Sequence, residues 1–193
     1  MAGLFVLGLF VLGLFVAGST GLAAERNTAV DPALADTSKI AAYFKDTAGA
    51  GVFVSHTRTF NLRTRGQRDS LRAILRKERA SWRAKRPGDY RYLLRVGCFC
   101  PGVRGWLLMD VRKTQPLRAW DRTGKAVPIN DWNVFSIDDL FDNLNRSADR
   151  DAVVELAFDS RWHFPAYVRT VALPVPDAWA IIEARALRRS TPE

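Results

Sequence analysis

Apolar and polar positions along this chain follow two rhythms, and the rhythms divide it into helices and strands. From Gln67 to about Lys85, Leu71, Ile74, Leu75 and Trp82 fall on one side of a helical projection, which predicts a helix ended by Pro87-Gly88. Glu78 falls inside that apolar stripe, a conflict that a neighbouring arginine is expected to relieve. Period-two spacing then takes over. Tyr90, Tyr92, Leu94, Val96, Cys98 and Cys100 share one face of a strand closed by Pro101-Gly102. Trp106–Arg112 and Leu117–Trp120 read as further strands, with Asp121–Gly124 as a turn. Ser136 and Asp139 have the spacing of a capping box, although aspartate is short for the reach back. Ile137, Leu140, Phe141 and Leu144 give the helix that follows its apolar face. Val153–Phe158 and Ala166–Leu173 are strands joined by a turn at Asp159–Phe164. After the break at Pro174–Asp177, Ala178–Arg188 stays open. Its composition favours helix, whereas the alternation of Trp179, Ile181 and Glu183 favours strand.

Upstream of Gln67 the pattern is weaker. Gly3–Ala17 is an apolar run, no charged side chain precedes Glu25, and small residues follow at Gly18, Ser19, Gly21, Ala23 and Ala24. Residues 1–24 are therefore expected to be a signal peptide, with an uncleaved membrane anchor as the rival reading. No cysteine stands near the cleavage site, which argues against a lipid-modified terminus. Either way the folded part is expected outside the cytoplasm, periplasmic or secreted. Residues 25–66 read as an extension. It holds a short helix started by Asp31-Pro32, with Ile40, Tyr43 and Phe44 on its apolar side, and Val52–Val54 as a short strand or tether. The main domain is expected over residues 67–188, with 189–193 as a tail.

Charge changes this picture in one place. The chain has 193 residues and a net charge of +9. From Arg58 to Arg95, thirteen Arg or Lys stand against three Asp or Glu, so this one region carries all the net positive charge. Arg65, Arg68, Arg72, Arg76, Arg79 and Arg83 lie within about an 80° arc of the basic helix, by its 100° per residue. Such a stripe suits an anionic partner: an envelope polyanion, an anionic membrane surface or an acidic protein. Its plainer reading is a solvated face partly neutralised by Asp138, Asp139, Asp142, Asp149 and Asp151 of the same molecule. Export argues against an intracellular nucleic acid.

Candidate chemistry is sparse. The two cysteines, Cys98 and Cys100, are either a local disulfide, two buried thiols or a redox pair, and no Cys-x-x-Cys at a helix start is present to activate them. His56 and His163 bring the Cys and His count to the four of a tetrahedral site, but the spacing matches no zinc module, so no metal or other cofactor is expected. The absence of Gly-x-Ser-x-Gly, His-Glu-x-x-His and a Gly-rich phosphate loop removes the commonest hydrolase and nucleotide-binding classes.

Taken in order, Trp82, Tyr90-Arg91-Tyr92, Cys98-Phe99-Cys100-Pro101, Leu107–Arg112, Thr123-Gly124, Ser136–Phe141, Phe158-Asp159 and Phe164-Pro165 form a recognisable set. In these motifs the chain resembles a family of small bacterial exported proteins and lipoproteins known only as a domain of unknown function, over roughly Gln67 to Leu187. The resemblance implies an α+β domain with helices on an antiparallel sheet and a strand at Ala178–Leu187. It implies no activity and no catalytic residue. His163 departs from it, standing where a small turn residue, usually glycine, is expected. The combined expectation is an α+β fold with an antiparallel sheet of about five or six strands and two main helices packed on it. The expected role is that of a non-catalytic binding module of the cell envelope. A thiol-based or metal-based function centred on Cys98 and Cys100 is the alternative.

Overall fold

The computed structural model describes residues 37–48, 54–98, 105–129, 135–174 and 178–190. The described residues all belong to one compact unit, Pro32–Glu193. The signal segment and the Asp31-Pro32 helix start lie outside the described residues.

Three helices, α1 (Thr37–Ala48), α2 (Arg65–Lys85) and α3 (Ile137–Ser147), accompany seven strands. The strands are β1 (Arg58–Asn61), β2 (Asp89–Cys98), β3 (Trp106–Arg112), β4 (Gln115–Trp120), β5 (Ala152–Phe158), β6 (Pro165–Ala172) and β7 (Trp179–Arg189). They form one sheet in the order β1-β5-β6-β7-β2-β3-β4, antiparallel at every pairing. The α+β class is as expected, but five or six strands with two main helices is not what the chain forms. The extra strand is β1, inside the stretch expected to be an extension. Only Phe60 of its residues is buried, so its place depends on pairing with β5 rather than on a local pattern. The third helix is α1, which packs on the sheet. No described helix is long and apolar enough to cross a membrane.

Side-chain alternation splits the sheet into two unlike faces. On the first, Tyr90, Tyr92 and Leu94 of β2, Leu107, Met109 and Val111 of β3, Val154 and Leu156 of β5 and Val168 of β6 meet Leu71, Leu75 and Trp82 of α2 and Ile137, Leu140, Phe141 and Leu144 of α3. This is the main core. Trp82 sits edge-on to Tyr90 at 5.5 Å and to Phe164 at 6.1 Å. The second face has a smaller cluster, Ile40, Leu93, Leu108 and Trp120, with Tyr43, Phe44, Trp106 and Ala186 packed against it. There α1 is fastened by the Tyr43 hydroxyl, which donates to the Ala186 carbonyl at 2.6 Å.

The helix starts are capped from their own sequence. Thr64 accepts the Gln67 N–H at 3.4 Å, two residues earlier than the apolar pattern places the α2 start. At α3 the capping box is complete: Ser136 Oγ accepts the Asp139 N–H at 3.1 Å, and Asp139 Oδ2 accepts the Ser136 N–H at 2.7 Å. Aspartate does reach back. The same helix start is held from the sheet, because the Tyr90 hydroxyl accepts the Ile137 N–H at 3.1 Å and the Tyr92 hydroxyl donates to the Phe135 carbonyl. Burial raises the pKa of both phenols far above its ordinary value, keeping them as neutral hydroxyls.

Candidate functional site

Six arginines give α2 its basic stripe, and four of them close onto carboxylates. Arg68 meets Asp151 at 2.5 Å, Arg72 meets Asp149 at 2.5 Å, and Arg79 meets Asp142 at 2.5 Å and Asp138 at 3.8 Å. Arg65 lies 3.7 Å from Asp69 along its own helix. Arg86, just past the helix, bonds Asp138 at 2.6 Å. Asp138, Asp142, Asp149 and Asp151 come from α3 and the turn after it, so the stripe staples α2 to the segment that begins β5. Among the described residues only Arg76 and Arg83 of the six make no ion pair, and both are exposed.

Two sequence anomalies resolve each other nearby. Glu78, the acid in the apolar stripe of α2, is met by His163 rather than by an arginine: His163 Nδ1 lies 2.8 Å from Glu78 Oε2. Lys85 Nζ lies 2.9 Å from Nε2 on the other side of the ring. An ammonium only donates and a carboxylate only accepts, so the ring carries its proton on Nδ1. His163 has φ of 65°, the left-handed conformation for which glycine is the ordinary choice. The turn is as expected. Its residue is present for the side chain.

Cys98 is the last residue of β2, and Cys100 lies outside the described residues. Among the described residues no cysteine is free. Nor does any group of three or more His, Cys, Asp or Glu side chains there stand ready to hold a metal ion.

The open part of the second sheet face was not singled out by sequence. Beyond α1, strand register sets one row of side chains across five strands: Ala157 of β5, Tyr167 of β6, Glu183 of β7, Arg95 of β2 and Trp106 of β3. Glu155 and Arg169 form a neighbouring pair on β5 and β6. Around these residues lies a groove of about 410 Å³, lined by Val54, Trp106, Glu155, Tyr167, Glu183 and Arg185 among others. Its charges are ordered. Arg95 pairs with Glu183, while Glu155 accepts from Arg169 at 2.9 Å and from the Tyr167 hydroxyl at 3.5 Å. Partial burial, then the Glu155 charge, raises the Tyr167 pKa above its usual value, so the phenol stays protonated. Two guanidinium groups address one indole, the Arg185 Cζ at 3.9 Å and the Arg95 Cζ at 5.3 Å from the Trp106 ring centroid. The groove holds carboxylates, cations and aromatic rings, but no cysteine and no histidine among its lining residues.

An antiparallel α+β domain with a mixed aromatic and charged groove on one sheet face defines a class only by architecture. The chain belongs to DUF6174, a family of unknown function, whose model matches residues 74–170, half of its length. No curated protein matches the chain. The matched stretch runs from α2 through most of β6 and includes Trp82, Tyr90, Tyr92, the α3 capping box and Phe164. Those residues lie together in and around the main core, where their contacts are packing and helix positioning.

Proposed function

We infer that this protein is an exported, non-catalytic binding module of the cell envelope and that its binding surface is the groove on the open sheet face. The groove carries this reading: there a concave surface combines exposed aromatic area with polar groups fixed by neighbouring strands. The arginine stripe gives weaker support, because most of its guanidinium groups already face carboxylates of the same molecule. Export rests on the apolar segment Gly3–Ala17 and the small residues after it. Within this reading Cys98 and Cys100 form a disulfide. An oxidising compartment favours that bond.

Binding is tested by nuclear magnetic resonance with a library of small organic fragments. Shifts concentrated on the Trp106 indole N–H and the Tyr167 and Arg185 amides support the reading. Shifts confined to Arg76 and Arg83, or none above background, overturn it in favour of the helix face or of no small-molecule site. Mass measurement of chain recovered from the cell exterior checks export, with loss of the residues before about Ala24 as the expected result.

A further inference from the structure

The groove's two carboxylates are matched and one of its cations is not. Glu183 faces Arg95, and Glu155 faces Arg169 and Tyr167. Arg185 has no carboxylate within ion-pairing distance among the described residues, and its Nε is buried with no hydrogen-bond partner. An unmatched guanidinium lining a concave surface can offer its terminal N–H groups to an anionic acceptor. The Arg185 guanidinium carbon lies 3.9 Å from the centre of the Trp106 ring, which restrains the group before any ligand arrives. A planar guanidinium presents paired N–H groups to the two oxygens of a carboxylate.

Resting on the reading of this groove as the binding surface, we propose that it takes a small monocarboxylate with an apolar body, the carboxylate on Arg185 and the body along Trp106 and Tyr167. The rest of the lining sets the limits. Ala157, Ala166 and Val54 offer apolar wall, which suits a hydrocarbon or aromatic body. Glu155 and Glu183 line the same groove and are already paired with Arg169 and Arg95, so a second negative charge on the ligand finds no unmatched lining cation beside Arg185, which disfavours phosphates and dicarboxylates. A volume of about 410 Å³ holds a small molecule or the last residues of a peptide, not a folded partner. A free carboxylic acid and a peptide C-terminus share the recognised chemistry.

Calorimetric titration of the full chain tests this with four probes: 3-phenylpropanoate, its primary amide, 3-phenylpropylamine, and an N-acetylated alanyl-phenylalanine with a free carboxylate. Expected is binding of at least one of the two carboxylates, with the amide and the amine weaker by about tenfold or more. Preference between the two carboxylates identifies a free acid or a peptide end as the source. Arg185→Gln is expected to remove the preference for carboxylate over amide, Arg185→Lys to retain part of it, and Arg76→Gln on the opposite side of the molecule to leave it unchanged. Because Arg185→Lys keeps the charge, it also serves if the glutamine variant does not fold. Equal binding of acid and amide overturns the carboxylate assignment while leaving the groove as a binding surface. A preference that survives Arg185→Gln in a folded protein overturns the role of Arg185. Failure of both carboxylates to bind overturns the proposal, and fragment shifts at Trp106 and Tyr167 then decide separately whether the groove binds anything.

Discussion

On the side of the sheet that carries α2 and α3, arginine closes the structure; on the opposite side it furnishes a groove. The difference lies in what each guanidinium faces. Arg79 and Arg86 converge on Asp138, whose side chain is only 16% exposed, above a core built from Trp82, Tyr90 and Phe141. Arg95 and Arg185 instead sit over the single indole of Trp106, above a sheet face that α1 covers only in part. Abundant arginine therefore says little about function until the acids around each residue are known. Four of the six stripe arginines are ion-paired, and at the groove Arg95 and Arg169 are paired while Arg185 stacks on an indole.

Substitutions of matching type on the two faces test that contrast. Trp82→Ala empties a fully buried site and is expected to destabilise the fold by about 3–5 kcal/mol in urea or guanidinium unfolding. Trp106→Ala, at a half-exposed site, is expected to cost about 1 kcal/mol. Similar losses at the two sites would mean that the open face is as integral to the core as the covered one. Asp138→Asn leaves two arginines facing an amide in a largely buried setting and is expected to cost about 1–3 kcal/mol. Asp149→Asn, whose side chain is 69% exposed against Arg72, is expected to cost less than about 1 kcal/mol. If high salt abolishes both losses equally, the clasp at Asp138 is no more than surface charge.

The smallest effect concerns the turn that brings His163 to Glu78. Burial raises the Asp159 pKa above the ordinary carboxylate value, outweighing the N–H groups of Trp162 and Arg161 and the Arg161 charge, which lower it. The folded state then holds this proton to a higher pH than the unfolded chain. The Asp159 contribution to stability therefore falls as pH rises from the ordinary value through the raised one and is level above it. Asp159→Asn keeps an oxygen to accept both N–H groups and removes the titration. The difference in unfolding free energy between wild type and variant, followed from about pH 3 to 7, is expected to shift in the variant's favour as pH rises. A flat difference would place Asp159 in solvent.

How much of this could be read from sequence depended on whether the signal was local. The amphipathic run of α2, the alternation of β2 and the Ser136–Asp139 cap each lie within a dozen residues, and each element formed. The four residues of β1 were missed because one buried aromatic, Phe60, cannot announce a strand whose partner is almost a hundred residues away. The segment forming β7 read ambiguously for a definite reason. A register shift lies opposite Arg91–Leu93 of β2, and Ala186 takes φ of 57°, so the core-facing positions run Ile182, Ala184, Leu187 and the period of two is broken. The groove was invisible for a stronger version of the same cause. Its row takes one residue from each of five strands, spread from Arg95 to Glu183. The arginine stripe was plain in sequence, but the acids that close it come from another helix, so only the fold reveals which cations are already matched.

The contact between Glu78 and His163 also constrains how this chain can change. Each residue is a poor choice alone: an acid in an apolar stripe, and a branched ring at a φ of 65° where glycine rests without strain. Together they are consistent, as an apolar residue at 78 with a glycine at 163 would be. Passing between the two arrangements one substitution at a time leads through a chain with either a carboxylate short of a partner or a strained histidine without its carboxylate. The second intermediate keeps Lys85 beside the ring and leaves no carboxylate without a partner, so the path that replaces Glu78 first is the gentler one. Positions 78 and 163, 85 residues apart, are thus coupled by this contact, so a change at either alters what the other side chain contributes.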